Sequence, residues 1–197
     1  MKILIVPAVK KINKETYFCL DVKILDFLKE TYKKPKIEFL YDLKKKPDLI
    51  VFCGGNNLLK LSNKDEDKIR DKINQKIFTY GLNNNIKIIG ICAGAQFIAK
   101  KYGSKISKIS NHVGNHKVSF SEKFNKKFKK KITVNSFHNY GIKKLSNYLK
   151  PLACAEDNSI ELFAHKEKKI IGIMWHPERY KKFKKVDKFI FRNKLWI

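Results

Sequence analysis

A single α/β domain with a mostly parallel sheet flanked by helices is the fold that this sequence of 197 residues predicts. Three observations carry the prediction. Short apolar, β-branched runs alternate along the chain with segments of helical spacing, the order that builds a sheet covered by helices. One of these runs ends in a Gly-Ile-Cys-Ala-Gly turn and passes directly into a helix-forming segment. No internal repeat or linker divides the chain, and its length suits one well-buried core while being too short for a second enzyme of synthase size.

Residues 2–7 read as a buried first strand, and 15–32 as a helix whose apolar face carries Leu20, Ile24, Phe27 and Leu28. Pro35 breaks that pattern ahead of a short strand over 36–41. Residues 47–53 form another apolar strand, which ends in Gly54-Gly55-Asn56-Asn57. A double glycine after a strand is commonly a plain turn. If this strand lies beside the one ending at Cys92, its amides face the same point in space, because parallel strands present their C-terminal ends together. A helix is expected from 62 to about 82, with Ser62 or Asn63 as cap and Asp65, Glu66 and Asp67 in its first turn. Asn83-Asn84-Asn85 stops it.

The segment from 86 to 101 organises the rest. Ile-Lys-Ile-Ile reaches Gly90, Cys92 stands between Gly90 and Gly94, and residues 93–101 are helix-forming. A residue held at such a strand-to-helix turn has a strained backbone, and side chains two positions to either side would collide; glycine at both positions removes them. Cys92 would sit at a helix N-terminus, where unpartnered N–H groups and the helix dipole favour the reactive thiolate. A cysteine in such a pentapeptide can equally be a small buried hydrophobe. The decision comes from residues 170–178, Ile-Ile-Gly-Ile-Met-Trp-His-Pro-Glu, where a hydrophobic strand runs into His-Pro-Glu. Pro177 biases His176 towards an extended backbone, and in an extended chain His176 and Glu178 point to the same side. One can face a sulfur while the other orients the imidazole.

Between these two segments the pattern is weaker. His112 and His116 are four apart, but a metal site built on such a pair needs a third ligand and a helical setting, and Gly114 argues against the helix. They are read as loop or strand residues on a pocket rim, with a metal site as the remote alternative. Residues 123–131 read as a lysine-rich exposed turn anchored by Phe124 and Phe128. Residues 132–142 begin as a strand and end in His138, Asn139 and Tyr140; His138, with no carboxylate beside it in sequence, takes a supporting role. Two or three strands fill 152–175, with turns at 157–159 and 166–168. From Tyr180 onwards Phe183, Val186, Phe189 and Ile190 have helical spacing; closure over the sheet is preferred to a membrane-surface role.

Gly-Ile-Cys-Ala-Gly-Ala-Gln followed later by His-Pro-Glu resembles the class I glutamine amidotransferase-like superfamily, which includes stand-alone γ-glutamyl hydrolases, and the motif order matches over nearly the whole chain. The resemblance implies a flavodoxin-like three-layer sandwich. It makes Cys92 the nucleophile, His176 its base and Glu178 the orienting carboxylate, with the N–H groups of Gly55 and Ala93 as oxyanion hole. Gly54, Gln96, Asn139, Tyr140 and His138 become the expected substrate contacts, and no metal or organic cofactor is implied. Stand-alone hydrolases often carry glutamine where Tyr140 stands, which bears on the leaving group. Within the superfamily the chain looks closest to the small hydrolases of capsule phosphoramidate biosynthesis, whose substrate is a γ-glutamyl nucleotide amidate, γ-glutamyl-CDP-amidate. The alternatives are a glutaminase subunit that feeds ammonia to a separate synthase, a partner this chain does not indicate, and a thiol sensor or binding protein. An intact His-Pro-Glu weighs against a sensor, since a sensor thiol needs no general base.

Charge and cysteine usage set the outer limits. The net charge is +26 and comes almost entirely from lysine, with arginine only at 70, 179 and 192. Without clustered arginines, zinc fingers or an aromatic RNA-binding signature, nucleic acid is not the expected partner. The positive field would still attract a small anionic substrate at low ionic strength. Cys19, Cys53, Cys92 and Cys154 lie far apart without Cys-x-x-Cys spacing, so neither a zinc site nor a disulfide framework is indicated. The apolar stretch at the N-terminus is far shorter than a signal peptide requires and no run reaches membrane-spanning length, so a cytoplasmic protein is expected.

Overall fold

A computed structural model describes residues 1–39, 46–58, 64–110, 112–122, 128 and 130–192. Its organising feature is one 11-stranded sheet in which β1 (Lys2–Val6), β4 (Lys36–Phe39), β5 (Leu49–Phe52), β6 (Lys87–Ile91) and β13 (Ile170–Ile173) are parallel neighbours in the order β4-β1-β5-β6-β13. β12 (Ile160–His165), β11 (Leu149–Ala155), β8 (Val113–Phe120) and β9 (Lys131–Phe137) continue the sheet in antiparallel fashion. β10 (Tyr140–Lys144) and β7 (Lys105–Lys108) pair on a branch beside β12. The parallel half carries the expected site; the antiparallel half corresponds to the weakly patterned stretch from 104 onward.

The period-2 alternation of the parallel strands divides their side chains between two layers. Ile3, Ile5, Leu49, Val51, Ile89 and Ile91 face α1 (Lys23–Thr31) and α4 (Lys185–Arg192), whose Ile24, Phe27, Leu28, Val186, Ile190 and Phe191 complete that core. Leu4, Val6, Ile50, Phe52 and Ile88 face α2 (Asp65–Asn83) and α3 (Ala93–Lys101) through Ile77, Phe78, Phe97 and Ile98. The result is the expected three-layer arrangement, with the C-terminal helix closing over the sheet. Among the described residues no helix is long and apolar enough to cross a membrane.

One element departs from the sequence expectation. The helix expected over 15–32 begins only at Lys23, and the chain before it folds as a hairpin of β2 (Ala8–Ile12) and β3 (Glu15–Cys19). Asn13 and Lys14 both take positive φ, 50° and 70°, the backbone that a two-residue hairpin turn matched to strand twist demands. Thr16, Tyr17 and Phe18 favour strand by their branched or aromatic side chains, and this outweighs the helical spacing of Leu20 with residues further on. The cap expected at Ser62 or Asn63, the end of the strand over 36–41, the anchor Phe124 and the residues from 193 onward lie outside the described residues. Phe128 packs edge-on against Phe189, 4.9 Å between ring centroids.

The docking of α4 includes a buried polar contact. Trp175 Nε1 donates to Asp187 Oδ1 at 2.9 Å, and burial pushes the Asp187 carboxyl up to about 7. Its folded value lies above the unfolded one, so the folded state holds the extra proton between about pH 4 and 7 and stability falls as pH rises through that window. Asp187→Asn keeps an acceptor for Trp175 and removes the charge. Thermal melts should show the variant more stable than the parent at pH 8, with the difference shrinking towards pH 4. A pH-independent difference would mean that this carboxyl does not ionise at a cost to the fold.

Candidate active site

At the C-terminal edge of the parallel strands, three segments meet. β6 leads directly into Cys92, which has φ 50° and ψ −108° and serves as the N-cap of α3. For a residue with a side chain, that positive φ is strained. The turn is tied down: the Cys92 N–H donates to the Ile173 carbonyl at 2.7 Å, and its own carbonyl accepts from the Gln96 N–H at 2.9 Å. Both neighbouring glycines are sterically obligatory. A Cβ on Gly90 would lie 2.6 Å from the Gly94 backbone, and one on Gly94 would lie 2.2 Å from the Phe52 carbonyl oxygen.

β5, parallel to β6, delivers Cys53, Gly54 and Gly55 beside the cysteine. Gly54 leaves room for the imidazole of His176: a Cβ there would stand 2.6 Å from His176 Cε1 and 3.5 Å from Cys92 Cβ. Gly55 has φ 114°, which glycine alone tolerates readily, and its missing side chain makes way for Ala8. The loop is held from below by Arg70 of α2, 3 % exposed, whose guanidinium donates to the Gly54 carbonyl at 3.0 Å and to the Cys53 carbonyl. Asn56 fixes the other side through the Val9 N–H and carbonyl, both at 2.8 Å. The first N–H groups of a helix have no acceptor within it, and that of Ala93, at the start of α3, follows Cys92 directly in the chain.

β13, parallel to β6 on its other side, runs into His176 and the 3-10 turn Pro177–Arg179. His176 Nδ1 lies 2.6 Å from Glu178 Oε1, and both side chains are buried. Burial works against a charged ring at this position. Hydrogen bonding to the Cys92 sulfur and to the Glu178 carboxylate, together with the negative charge each can carry, outweighs it and raises the His176 pKa to about 9. Both partners of the ring favour its charged form. Its backbone is clamped by Asn135 of β9, which accepts from the His176 N–H and donates to the His176 carbonyl, each at 2.8 Å.

A cavity of about 330 Å³ opens in front of His176, Glu178, Gly54 and Gly55, within the usual range of roughly 300–1,000 Å³ for small-molecule sites. Its other wall is the unanticipated hairpin and the residues after it, with Ala8, Lys10, Cys19, Leu20 and Asp21; Arg179 stands at its side. Gln96 is joined to the 138–140 segment, donating from Nε2 to the Tyr140 carbonyl at 2.8 Å. Asn139 is exposed, with its carbonyl accepting from the Ile109 N–H at 3.0 Å. Of the expected site residues, Gly54, Gly55, His176 and Glu178 line the cavity, whereas Cys92, Ala93, Gln96, Asn139 and Tyr140 do not. His138 lies elsewhere: its Nε2 is 3.7 Å from Glu161 Oε1, in a cluster with His112 and His116. Arg70, Asn135 and the hairpin are site elements that the sequence reading missed; no local motif marks any of them.

The thiols differ in environment. Burial pushes Cys53 up to about 12 and raises Cys154, so both stay protonated at neutral pH. Cys92 has the His176 imidazole and a helix N-terminus beside it. Iodoacetamide at pH 7 should modify Cys92 ahead of Cys19, Cys53 and Cys154. Peptide mapping by mass spectrometry reads this directly, and earlier labelling of Cys53 or Cys154 would contradict the geometry.

Comparison with known proteins gives a consistent family. The model of the family described as glutamine amidotransferase class-I matches residues 20–196. Over 130 residues the chain is 42 % identical to a protein of Campylobacter jejuni named gamma-glutamyl-CDP-amidate hydrolase, spanning 66 % of this chain and 62 % of that one. Over 149 residues it is 28 % identical to a glutamine-hydrolyzing GMP synthase subunit of Methanococcus vannielii, covering 71 % and 69 % of the two chains. Among solved structures, a candidate GMP synthase subunit from Thermoplasma acidophilum superposes with a TM-score of 0.72 at 26 % identity, over 98 % of this chain and 90 % of that one. A glutamine amidotransferase from Thermotoga maritima has the same fold, with a TM-score of 0.68 at 18 % identity over 90 % and 76 %.

Proposed function

This chain belongs to the glutamine amidotransferase class-I family, and from that premise we propose that it is a cysteine-dependent hydrolase cleaving the C–N bond of a γ-glutamyl amide. The observation that carries the reading is the convergence of Cys92 on its strained turn, His176 packed at Gly54, and Glu178 2.6 Å from His176 Nδ1. The Cys92 thiolate attacks the γ-carbonyl carbon, and the resulting oxyanion is held by the N–H groups of Gly55 and Ala93. His176 in its charged form, which Glu178 and the thiolate favour, gives its proton to the departing amine as the C–N bond breaks and a γ-glutamyl thioester remains. The imidazole, now neutral, takes a proton from water as the water oxygen attacks the thioester. Collapse of that second intermediate expels the thiolate and frees glutamate. Glu178 keeps the ring in the tautomer and orientation that both proton transfers need.

The leaving group we propose is a nucleotide-linked phosphoramidate, so that γ-glutamyl-CDP-amidate yields cytidine diphosphoramidate plus glutamate in capsule modification. Three things support this choice: the likeness to the Campylobacter hydrolase, Lys10 and Arg179 on the cavity wall where phosphates need cations, and the net charge of +26. The likeness to the glutamine-hydrolyzing subunits of GMP synthase favours a second reading, a glutaminase that delivers ammonia to a separate synthase.

Steady-state kinetics separate the two. A γ-glutamyl nucleotide amidate should be cleaved with a kcat/KM about a hundredfold or more above that of free glutamine, since binding energy from the nucleotide is used to orient the carbonyl at Cys92. Raising ionic strength from about 0.01 M to about 0.15 M shortens the Debye length from roughly 30 Å to roughly 8 Å, so the advantage should shrink with salt for the anionic substrate and hardly change for zwitterionic glutamine. Preference for glutamine, or activity only after a second protein is added, would replace the stand-alone reading with the glutaminase one.

A further inference from the structure

We propose that His112, His116, His138 and Glu161 form a closed structural site for one divalent transition-metal ion, best suited to zinc, in the antiparallel half of the sheet. The sequence reading leaves a metal as the remote alternative because two histidines four apart around Gly114 lack further ligands and a helix. The fold brings ligands to them from other elements. His112 and His116 flank the start of β8, His138 lies between β9 and β10, and Glu161 comes from β12. His112, His116 and Glu161 each offer a ligand atom, all within 4.8 Å of one another, and His138 approaches the same carboxylate.

The distances separate a metal site from a hydrogen-bonded cluster. His112 Nδ1 is 3.3 Å from Glu161 Oε1, His116 Nε2 is 3.5 Å from Oε2, and His138 Nε2 is 3.7 Å from Oε1. These are long for N–H···O bonds, which cluster near 2.7–3.2 Å. Ligand atoms about 2.0–2.1 Å from a tetrahedral ion stand roughly 3.3–3.4 Å apart, and the observed spacings approach that edge. Burial adds to the case. Glu161 is 0 % exposed and His112 and His138 are each 5 % exposed. Both Glu161 oxygens, both ring nitrogens of His116 and of His138, and His112 Nδ1 have no hydrogen-bond partner among the described residues. A wholly buried carboxylate whose neighbouring imidazoles stand off at 3.3, 3.5 and 3.7 Å is costly unless a positive charge, on a ring or on a bound ion, offsets it.

The surroundings of His112 point the same way. Its Nδ1 faces Glu161, while its Nε2 lies 3.4 Å from both Asp157 Oδ1 and Ser159 Oγ. In a metal-bound histidine the far N–H commonly closes onto a carboxylate, and Asp157 is the carboxylate within reach, at a separation longer than a formed hydrogen bond. Asp157 is itself held in place by Lys143 Nζ at 2.7 Å and by the Ser159 N–H at 3.0 Å. Three neutral imidazoles and one carboxylate suit zinc, and four protein ligands leave no open position, so the role is structural. The ion would join β8, the 138–140 segment and β12, and thereby fix the stretch whose Tyr140 carbonyl is bound by Gln96. This inference stands apart from the reaction proposed above.

The test uses the full chain carrying Cys92→Ala, which takes the reactive thiol out of competition. After chelator treatment and dialysis it is titrated with Zn²⁺ and, separately, with Co²⁺. One ion per chain should bind, and cobalt should give the visible bands of a tetrahedral site without a thiolate charge-transfer band. The melting temperature should rise with added zinc. His116→Ala, which removes the ligand nearest the surface, should weaken zinc binding at least about tenfold. Asp157→Asn, at a half-exposed position that is not a ligand, should weaken it about 10- to 100-fold in a chain that still folds. Failure to bind zinc, undiminished affinity in both variants, or a cobalt spectrum with thiolate character would overturn the proposal and leave a buried histidine–carboxylate cluster in its place.

Discussion

Cys92→Ala should lower turnover of a γ-glutamyl amide by about 10⁴-fold or more while the protein folds as before. Removing the atom that forms the thioester leaves only binding and the oxyanion donors, which sustain a small residual rate. His176→Asn should fall close to the same level, because one ring serves both proton transfers. Glu178→Gln should keep roughly ten- to a hundredfold more activity than Cys92→Ala, since an orienting group contributes less than those that exchange bonds and protons. The backbone supplies an internal control. Alanine inherits the strained φ of 50° at this position, whereas Cys92→Gly relieves it, so the glycine variant should melt higher than the alanine variant and be equally inactive. Near-normal turnover by folded Cys92→Ala protein would remove the proposed mechanism, and equal melting temperatures would remove the strain.

What could be read from the sequence was local in origin. The elbow was legible because its demands fall within five residues: a cysteine at a strained backbone position and two places where a Cβ collides, at 2.6 Å for Gly90 and 2.2 Å for Gly94. His176 and Glu178 were legible because proline fixes the chain between them. Arg70 and Asn135 were not, although one pins the Gly54 loop and the other clamps the His176 backbone. Each acts across a long sequence separation through a backbone contact that no spacing rule encodes. The β2–β3 hairpin was missed because its turn, Asn13-Lys14, lacks the glycine that usually marks positive φ, while Leu20 and the residues after it share a helical period with the true α1. His138 was expected near the substrate by analogy of position, yet its ring lies beside Glu161, a contact set by pairing of β10 with β12.

Gly54→Ala and Gly94→Ala should both lower activity by about a hundredfold or more, and by different routes. At Gly94 the added methyl meets the Phe52 carbonyl oxygen at 2.2 Å and its carbon at 2.8 Å. Both belong to the backbone of β5, a strand paired on both sides, which cannot move aside without breaking its neighbours. The expected cost is about 3 kcal/mol or more of folding stability, seen as a lower denaturation midpoint, with activity lost because the chain is no longer native. At Gly54 the methyl meets a side chain, His176 Cε1 at 2.6 Å, with Nε2 at 3.4 Å and Cys92 Cβ at 3.5 Å. That ring is fixed at Nδ1 by Glu178 and through its backbone by Asn135, so it must swing off the sulfur rather than slide along it. A displacement of about 1 Å at the reacting groups is enough for a loss of about 10²-fold. Gly54→Ala should therefore melt within a few degrees of the parent, retain at most about one hundredth of its kcat, and label more slowly at Cys92 because the imidazole has left the thiol. A Gly54→Ala protein with parental kcat would show that His176 does not need its present place against Cys92. A Gly94→Ala protein with parental stability would show that α3 can draw back from β5, contrary to the packing seen at the elbow.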